Sequence, residues 1–427
     1  MIPIRFADRE NREQLLAALP QAPSVAQPVK EIIDRVRREG DGALFALTEQ
    51  FDGAKLSRLR VSESEIEEAL QQVDAQLLDT MKRAAGNIRA FHSQQVRTSF
   101  VLHPRDGVTA GQKVVPIERV GLYVPGGTAA YPSTVLMNAI PAKIAGCKGI
   151  AITTPPGKDG RVNPAILAAA GIAGVTEVYK VGGAQAIAAL AWGTESIPKV
   201  DKIVGPGNAY VAEAKRQAFG QVAIDMIAGP SEILIVADGG SDARCVAADM
   251  LSQAEHDRLA SAVLVTDSEG LAREVQQELE RQLEVLPRKE IARASIDSRS
   301  SIIVTGNIGE AVDMANRMAP EHLELCVDNP FDWLDKVRHA GSVFLGRSCP
   351  EAMGDYLAGT NHTLPTGGTA RFASALSVDD FVKRIQFSYY TKEALQREAA
   401  DVARFARAEG LEAHARSVES RLEGDQP

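Results

Sequence analysis

The chain has 427 residues, a length for about two or three domains. Its 45% hydrophobic and 24% charged residues are those of an ordinary globular protein. Lys and Arg number 47 against 56 Asp and Glu, and the net charge of −9 is spread along the chain, which argues against a general nucleic-acid binder. The start, Met1 to Glu10, is charged at once and has no apolar run of signal-peptide length, so a cytoplasmic protein is expected. The charge-free stretch Val120 to Ala142 holds Pro125, Pro132 and Pro141, so it reads as loop and strand and no membrane span is expected. Cysteines stand at 147, 245, 326 and 349 without a CxxC pair, which leaves reduced thiols as the plain reading.

Residues 1 to about 97 read as mainly helical, with apolar residues at helical spacing over Val29–Arg38 and Glu63–Gln95. From Arg119 the texture alternates. Short apolar runs at 120–124, 149–153, 177–181 and 202–204 are each followed by a helical pattern. A second set of strands follows at 232–236, 261–265, 301–304, 323–327 and 341–345, with helices between the earlier ones. This is the pattern of parallel sheets with helical crossovers. The seam falls near Ile227–Pro230, and the tail returns to helix at Asp379–Ile385 and Lys392–Leu422. The fold class expected is α/β: two tandem Rossmann-like domains, incomplete and doubly wound, with a helical N-terminal segment and a helical C-terminal tail. The boundaries drawn are an N-terminal segment 1–22, a discontinuous domain 23–120 plus 231–375, a second domain 121–230, and a tail 376–427.

Strand–glycine–helix junctions are the first candidate sites. Val181-Gly-Gly-Ala-Gln185 and Val204-Gly-Pro-Gly-Asn208 would let a ligand approach the backbone at a helix N-terminus. Either could equally be a tight turn, and neither is a GxGxxG fingerprint. Tyr123, at another strand end, could stack on a base or be a half-buried structural tyrosine. In Ser252-Gln-Ala-Glu-His-Asp257, Gln253 and His256 stand three apart and could share a metal ion from one helical face, or simply close a helix. In Ala319-Pro-Glu-His-Leu-Glu324, Glu321 and His322 form a carboxylate–imidazole pair expected in a loop, suited to two proton abstractions. Asp355 lies in a long glycine-rich polar loop, with His362 further along it. His414 could be a ligand only if the tail folds onto the body or a partner, whereas His92, His103 and His339 read as structural or surface residues.

Together these segments resemble the histidinol dehydrogenase family. The matching stretches are Gly121 to Gly127, Tyr131 to Asn138, Gly182 to Ala188, Gly205 to Asn208, Ala228 to Glu232, Ser252 to Asp257, Ala319 to Glu324, Gly354 to Tyr356, Asn361 to Thr366 and Glu409 to His414. The resemblance implies NAD-dependent oxidation of L-histidinol to L-histidine through the aldehyde, the last step of histidine biosynthesis, with one Zn2+ per subunit. It implies Gln253, His256, Asp355 and His414 as zinc ligands, these four also meeting substrate, and Glu321 and His322 as the acid/base pair. Ser231 and Glu409 follow as substrate contacts, with His322, and Tyr123, Gln185 and Asn208 as NAD contacts. It further implies a homodimer in which His414 completes the partner's site. His362 matches the family pattern without an assigned role. The rival readings are a related amino-alcohol dehydrogenase, an inactive metal- or nucleotide-binding relative, and an aldehyde dehydrogenase with a cysteine nucleophile. None of the four cysteines lies in a glycine-flanked loop beside a base.

Overall fold

A short strand, β1 (Ile4–Phe6), precedes four helices at Ala26–Glu39, Asp41–Asp52, Glu63–Gln72 and Ala75–Ser93. The computed structural model describes residues 1–7, 25–126 and 130–422, so most of the expected segment 1–22, and Gly127, lie outside the described residues. Local chemistry sets the helix starts. Ser62 and Glu65 form a reciprocal capping box, and Asp74 accepts from the amides of Gln76 and Leu77. By internal packing the chain forms two units, Met1–Gln95 with Ile117–Phe381, and Val96–Pro116 with Val382–Pro427.

The first unit carries two parallel sheets. The strands β4 (Arg119–Tyr123), β5 (Gly149–Thr154), β6 (Glu177–Lys180), β7 (Lys202–Val204) and β8 (Ala223–Ile224) lie in the order β6-β5-β4-β7-β8, which follow the second unit's β2 (Phe100–Arg105) and β3 (Val108–Pro116) in the chain. Chain order reverses between β4 and β7, the switch point where a crevice opens in such sheets. The strands β9 (Glu232–Ala237), β10 (Ser261–Thr266), β11 (Ser301–Val304), β12 (His322–Cys326) and β13 (Ser342–Leu345), with β1, form a six-stranded sheet ordered β1-β11-β10-β9-β12-β13. The chain crosses from one sheet to the other between Ile224 and Glu232. Ile233 to Ala237 of the interior strand β9 are apolar at every position because helices cover both faces.

The early helices differ from the expected grouping of 23–120 with 231–375. Val29, Ile33 and Leu44 pack with Tyr179 and Ile187, while Ile66, Met81 and Ile88 pack with Val120, Leu136 and Ile166. Their apolar stripes therefore cover the β4–β8 sheet. Pro287 stands between helices Glu269–Leu283 and Lys289–Arg299, the second of which has no counterpart in the sequence reading.

In the second unit, β2, β3 and β14 (Val382–Tyr390) form an antiparallel sheet ordered β14-β3-β2. The helix expected at Asp379–Ile385 is instead a 3-10 turn, Val378–Phe381, in the first unit, followed by β14. Ile385, Phe387 and Tyr389 alternate along β14, a period of two that overrides the helical reading. The β2–β3 connection turns at Asp106-Gly107, where Gly107 has φ +73°. The single tail helix expected over 392–422 breaks in two, Lys392–Ala408 and Glu412–Glu419, at Gly410 with φ +77°.

Candidate active site

Glu321 and His322 do not sit in an exposed loop. The helix Ile308–Met318 ends on Ala319, a buried non-glycine residue at φ +51°, and Pro320 then turns the chain into β12, whose first residue is His322. In register, His322 lies beside Ile233 of β9 and Ser342 of β13, both at the amino ends of their strands. The pair is thus held at the amino edge of its sheet, opposite to the carboxyl ends at which open α/β sheets usually bind ligands.

One residue of β9 orients both side chains. The Glu232 amide donates to Glu321 Oε2 at 2.9 Å, and the Glu232 carbonyl lies 2.9 Å from His322 Nδ1. A carbonyl only accepts, so Nδ1 carries the proton and Nε2 of the neutral ring is left as the base. Nε2 is buried without a hydrogen-bond partner and faces Glu351 Oε1 at 3.7 Å. His322 is 4% and Glu321 7% exposed. Burial pushes the Glu321 carboxyl up to about 8, with His322 opposing and Glu232 and Glu351 adding to the rise. Both side chains sit in a drier setting than a loop provides.

Behind His322 lies a stack of carboxyls that the sequence reading missed: Glu351, Glu324 and Asp249. Glu324 Oε1 accepts from the Glu351 amide at 2.7 Å. Burial lifts Glu324 and Glu351 well above the ordinary carboxylate range and Asp249 to about 6. The signal was present in His322-Leu-Glu-Leu-Cys326, where a fully buried carboxyl interrupts an apolar strand.

The expected metal ligands of the first unit gather around this stack, in a different local setting from the one expected. Gln253 is buried in the last turn of helix Ala243–Ala254, but His256 lies past its end, exposed, in a turn where its amide donates to the Gln253 carbonyl at 3.2 Å. The two therefore do not share a helical face. Asp355 belongs to a helix, Glu351–Tyr356, and not to an extended loop. In the amide orientation that satisfies both groups, Gln253 nitrogen donates to Glu351 oxygens at 2.9 and 3.1 Å, so its oxygen is the atom not turned toward Glu351. Ligating atoms of His322, Glu351 and Asp355 come within 4.8 Å of one another. The carboxylate oxygens of this cluster, with the Gln253 amide oxygen and the His256 imidazole, are donor types that fit a divalent cation such as zinc. His362 joins the cluster, its Nδ1 3.9 Å from Asp355 Oδ1 and its Nε2 3.2 Å from Thr134 Oγ1.

The residues expected to meet a nucleotide lie at the carboxyl ends of the other sheet. Tyr123 ends β4 and is buried, its hydroxyl accepting from the Gly183 amide at 3.1 Å. Gln185 is buried in the first turn of helix Gly183–Trp192. Asn208 is exposed and caps helix Ala209–Ala218, accepting from the amides of Tyr210 and Val211 at 3.0 and 3.2 Å. Ser231 lies half-buried beside Glu232, where its carbonyl accepts from the Ser261 amide.

Glu409 and His414 belong to the second unit. Glu409 ends helix Lys392–Ala408, His414 stands in helix Glu412–Glu419, and both line one groove of about 990 Å³ with Val402, Phe405 and Leu411. Among the other histidines, His92 is fully buried, with Nδ1 2.7 Å from Gln95 Oε1. Burial raises the Cys147 thiol to about 11 and the Cys326 thiol further, the reverse of what a cysteine nucleophile needs.

Fold and site define a parallel-sheet α/β protein with a buried carboxylate–imidazole pair beside side chains that could hold a cation. The family model described as histidinol dehydrogenase matches residues 18–422. A histidinol dehydrogenase of Bacillus licheniformis is 56% identical over 393 residues, 92% of each chain. That of Geobacillus kaustophilus is 57% identical over 395 residues, 92% of this chain and 93% of the relative. The crystal structure of histidinol dehydrogenase from Elizabethkingia anophelis superposes with a TM-score of 0.94 at 42% identity, covering 99% of this chain and 98% of that one. The chain belongs to the histidinol dehydrogenase family.

Proposed function

We propose that the chain oxidises L-histidinol to L-histidine through L-histidinal, the last step of histidine biosynthesis, in the cytoplasm. NAD, which Tyr123, Gln185 and Asn208 would hold, would supply the hydride acceptor for each of the two oxidations. The observation that carries the reading is the His322 ring, fixed by the Glu232 carbonyl so that its unpartnered Nε2 faces the site as a base.

In the first oxidation His322 Nε2 takes the hydroxyl proton as the carbon gives up its hydride, leaving the aldehyde. Glu321 in its ionised form then takes a proton from water as the water oxygen adds to that aldehyde. Its burial makes it a stronger base than an exposed carboxylate. His322, having released its first proton, accepts another as the hydrate loses the second hydride, and the product is the carboxylate. Ser231 and Glu409 contact the substrate, and Tyr123, Gln185 and Asn208 contact NAD. Gln253, His256, Asp355 and His414 hold one zinc ion, which when bound orients the imidazole and amine of the substrate.

The working form is a homodimer, each site drawing His414 from the partner. The second unit supports this, because Val101 of β2 and Ile385, Phe387 and Tyr389 of β14 lie exposed on one face of its sheet, an apolar surface that wants cover. The test is NADH formation by the zinc-loaded protein. Two equivalents of NADH per L-histidinol support the reading. Preference for another amino alcohol would favour a related dehydrogenase, and no NADH with any would favour an inactive relative.

A further inference from the structure

Beneath the Gly205-Pro-Gly-Asn208 turn lies an ion pair that no catalytic step uses. Lys215 and Asp225 are joined side chain to side chain, 2% and 1% exposed. Both also grip one residue. Lys215 Nζ donates to the Gly205 carbonyl at 3.0 Å, and the Gly205 amide donates to Asp225 Oδ2 at 2.8 Å. A buried ion pair is a weak source of stability compared with apolar side chains of the same volume, so its value lies elsewhere.

The gripped residue stands at the switch point between β4 and β7. Gly205 has φ +118°, and a Cβ there would collide with the Tyr123 carbonyl oxygen. The turn is therefore pressed against the end of β4, whose Tyr123 hydroxyl takes the Gly183 amide. Lys215 projects from the helix that Asn208 caps, and the Asp225 amide donates to the Ile203 carbonyl of β7 at 3.2 Å. The pair thus ties strand, turn and helix into one frame that carries Asn208 and abuts Tyr123.

We propose that Lys215 and Asp225 are positioning residues for the dinucleotide, fixing the Gly205–Asn208 turn through both polar groups of Gly205. The proposal rests on the NAD reading above. Its test is steady-state kinetics of the zinc-loaded dimer with Asp225→Asn and with the apolar double variant Lys215→Met/Asp225→Leu. A turn displaced by about an ångström should raise KM for NAD on the order of tenfold to a hundredfold. At saturating NAD, kcat and KM for histidinol should stay within about twofold, because neither residue touches the reacting atoms.

Thermal unfolding separates positioning from plain stability. The double variant should keep the wild-type Tm and still bind NAD weakly. A double variant that folds with wild-type KM for NAD overturns the proposal. If neither variant folds, Asp225→Glu keeps the charges and moves them by one methylene. It should raise KM for NAD with zinc content intact, and an unchanged KM there overturns the proposal as well. Failure of the wild-type enzyme to reduce NAD would instead overturn the functional reading on which this one stands.

Discussion

Replacing Glu321 by glutamine should gain stability while losing activity, and the gain should depend on pH. Burial holds this carboxyl at about 8 in the folded chain against 4.5 when free in water. A tenfold change in acidity is worth about 1.4 kcal/mol, so ionising Glu321 inside the protein costs about 5 kcal/mol more than in water. A folded value above the unfolded one means that the group costs nothing while both states are protonated, below about pH 4. Stability is then lost as pH rises, and the loss levels off once the folded carboxyl has itself ionised, above about pH 8. The loss is under ~1 kcal/mol at pH 5, about 3 kcal/mol at pH 7 and about 5 kcal/mol at pH 9. Glutamine keeps an acceptor for the Glu232 amide and removes the charge, so E321Q should exceed wild type by those amounts. The assay is urea unfolding of both metal-free proteins at matched protomer concentration. A difference that stays constant with pH, or a variant that weakens as pH rises, would refute the reasoning. In single-turnover measurements the same variant should be slowed more in oxidising supplied aldehyde than in oxidising the alcohol.

His322→Asn should slow both half-reactions on the order of a hundredfold or more, since it removes the base of each; a normal rate for either step contradicts the assignment. A strong chelator should abolish activity together with bound zinc, and zinc or manganese should restore it; full activity in a demonstrably metal-free preparation would refute the metal site. Gly341→Ala would place a Cβ 2.5 Å from the Glu321 carbonyl oxygen, so kcat should fall on the order of tenfold or more with KM for NAD unchanged. Steady-state kinetics at saturating histidinol is the check. Chains carrying His256→Ala and His414→Ala should each be inactive alone. Co-expressed, they should recover about a quarter of wild-type activity if pairing is random. A purified heterodimer no better than either parent would place His414 within its own chain's site.

Of the strands β4 to β13, all but the two-residue β8 were legible because buried parallel strands write themselves as short apolar runs, some closed by glycine as at Val181-Gly182 and Val204-Gly205. β14 was not, because Asp379 and Asp380 before it and the long tail helix after it both favour a helical reading, and only pairing with β3 decides the matter. Which sheet the early helices cover is a long-range packing choice that no local spacing of Ile33 or Ile66 encodes. At the site, Glu321 and His322 stood out as an adjacent carboxylate and imidazole, yet their burial did not, since it follows from β12 running between β9 and β13. Glu351 gave no signal, being a lone acid at the start of a short helix.

The double use of Glu232 has a consequence for how such a centre is inherited and dissected. Its amide sets the acid and its carbonyl sets the tautomer of the base, so the instruction to both side chains is written in peptide atoms common to every residue type except proline. A side-chain scan through position 232 would remove the Gly367 contact made by its carboxylate and that charge's share in raising Glu321, and leave both backbone bonds in place. Proline there would delete the donor, and an ester in place of the 231–232 amide would delete it without disturbing shape. The two backbone bonds that orient Glu321 and His322 are thus silent to ordinary side-chain mutagenesis and to comparison of sequences, and are held in place by the registration of β9 against β12.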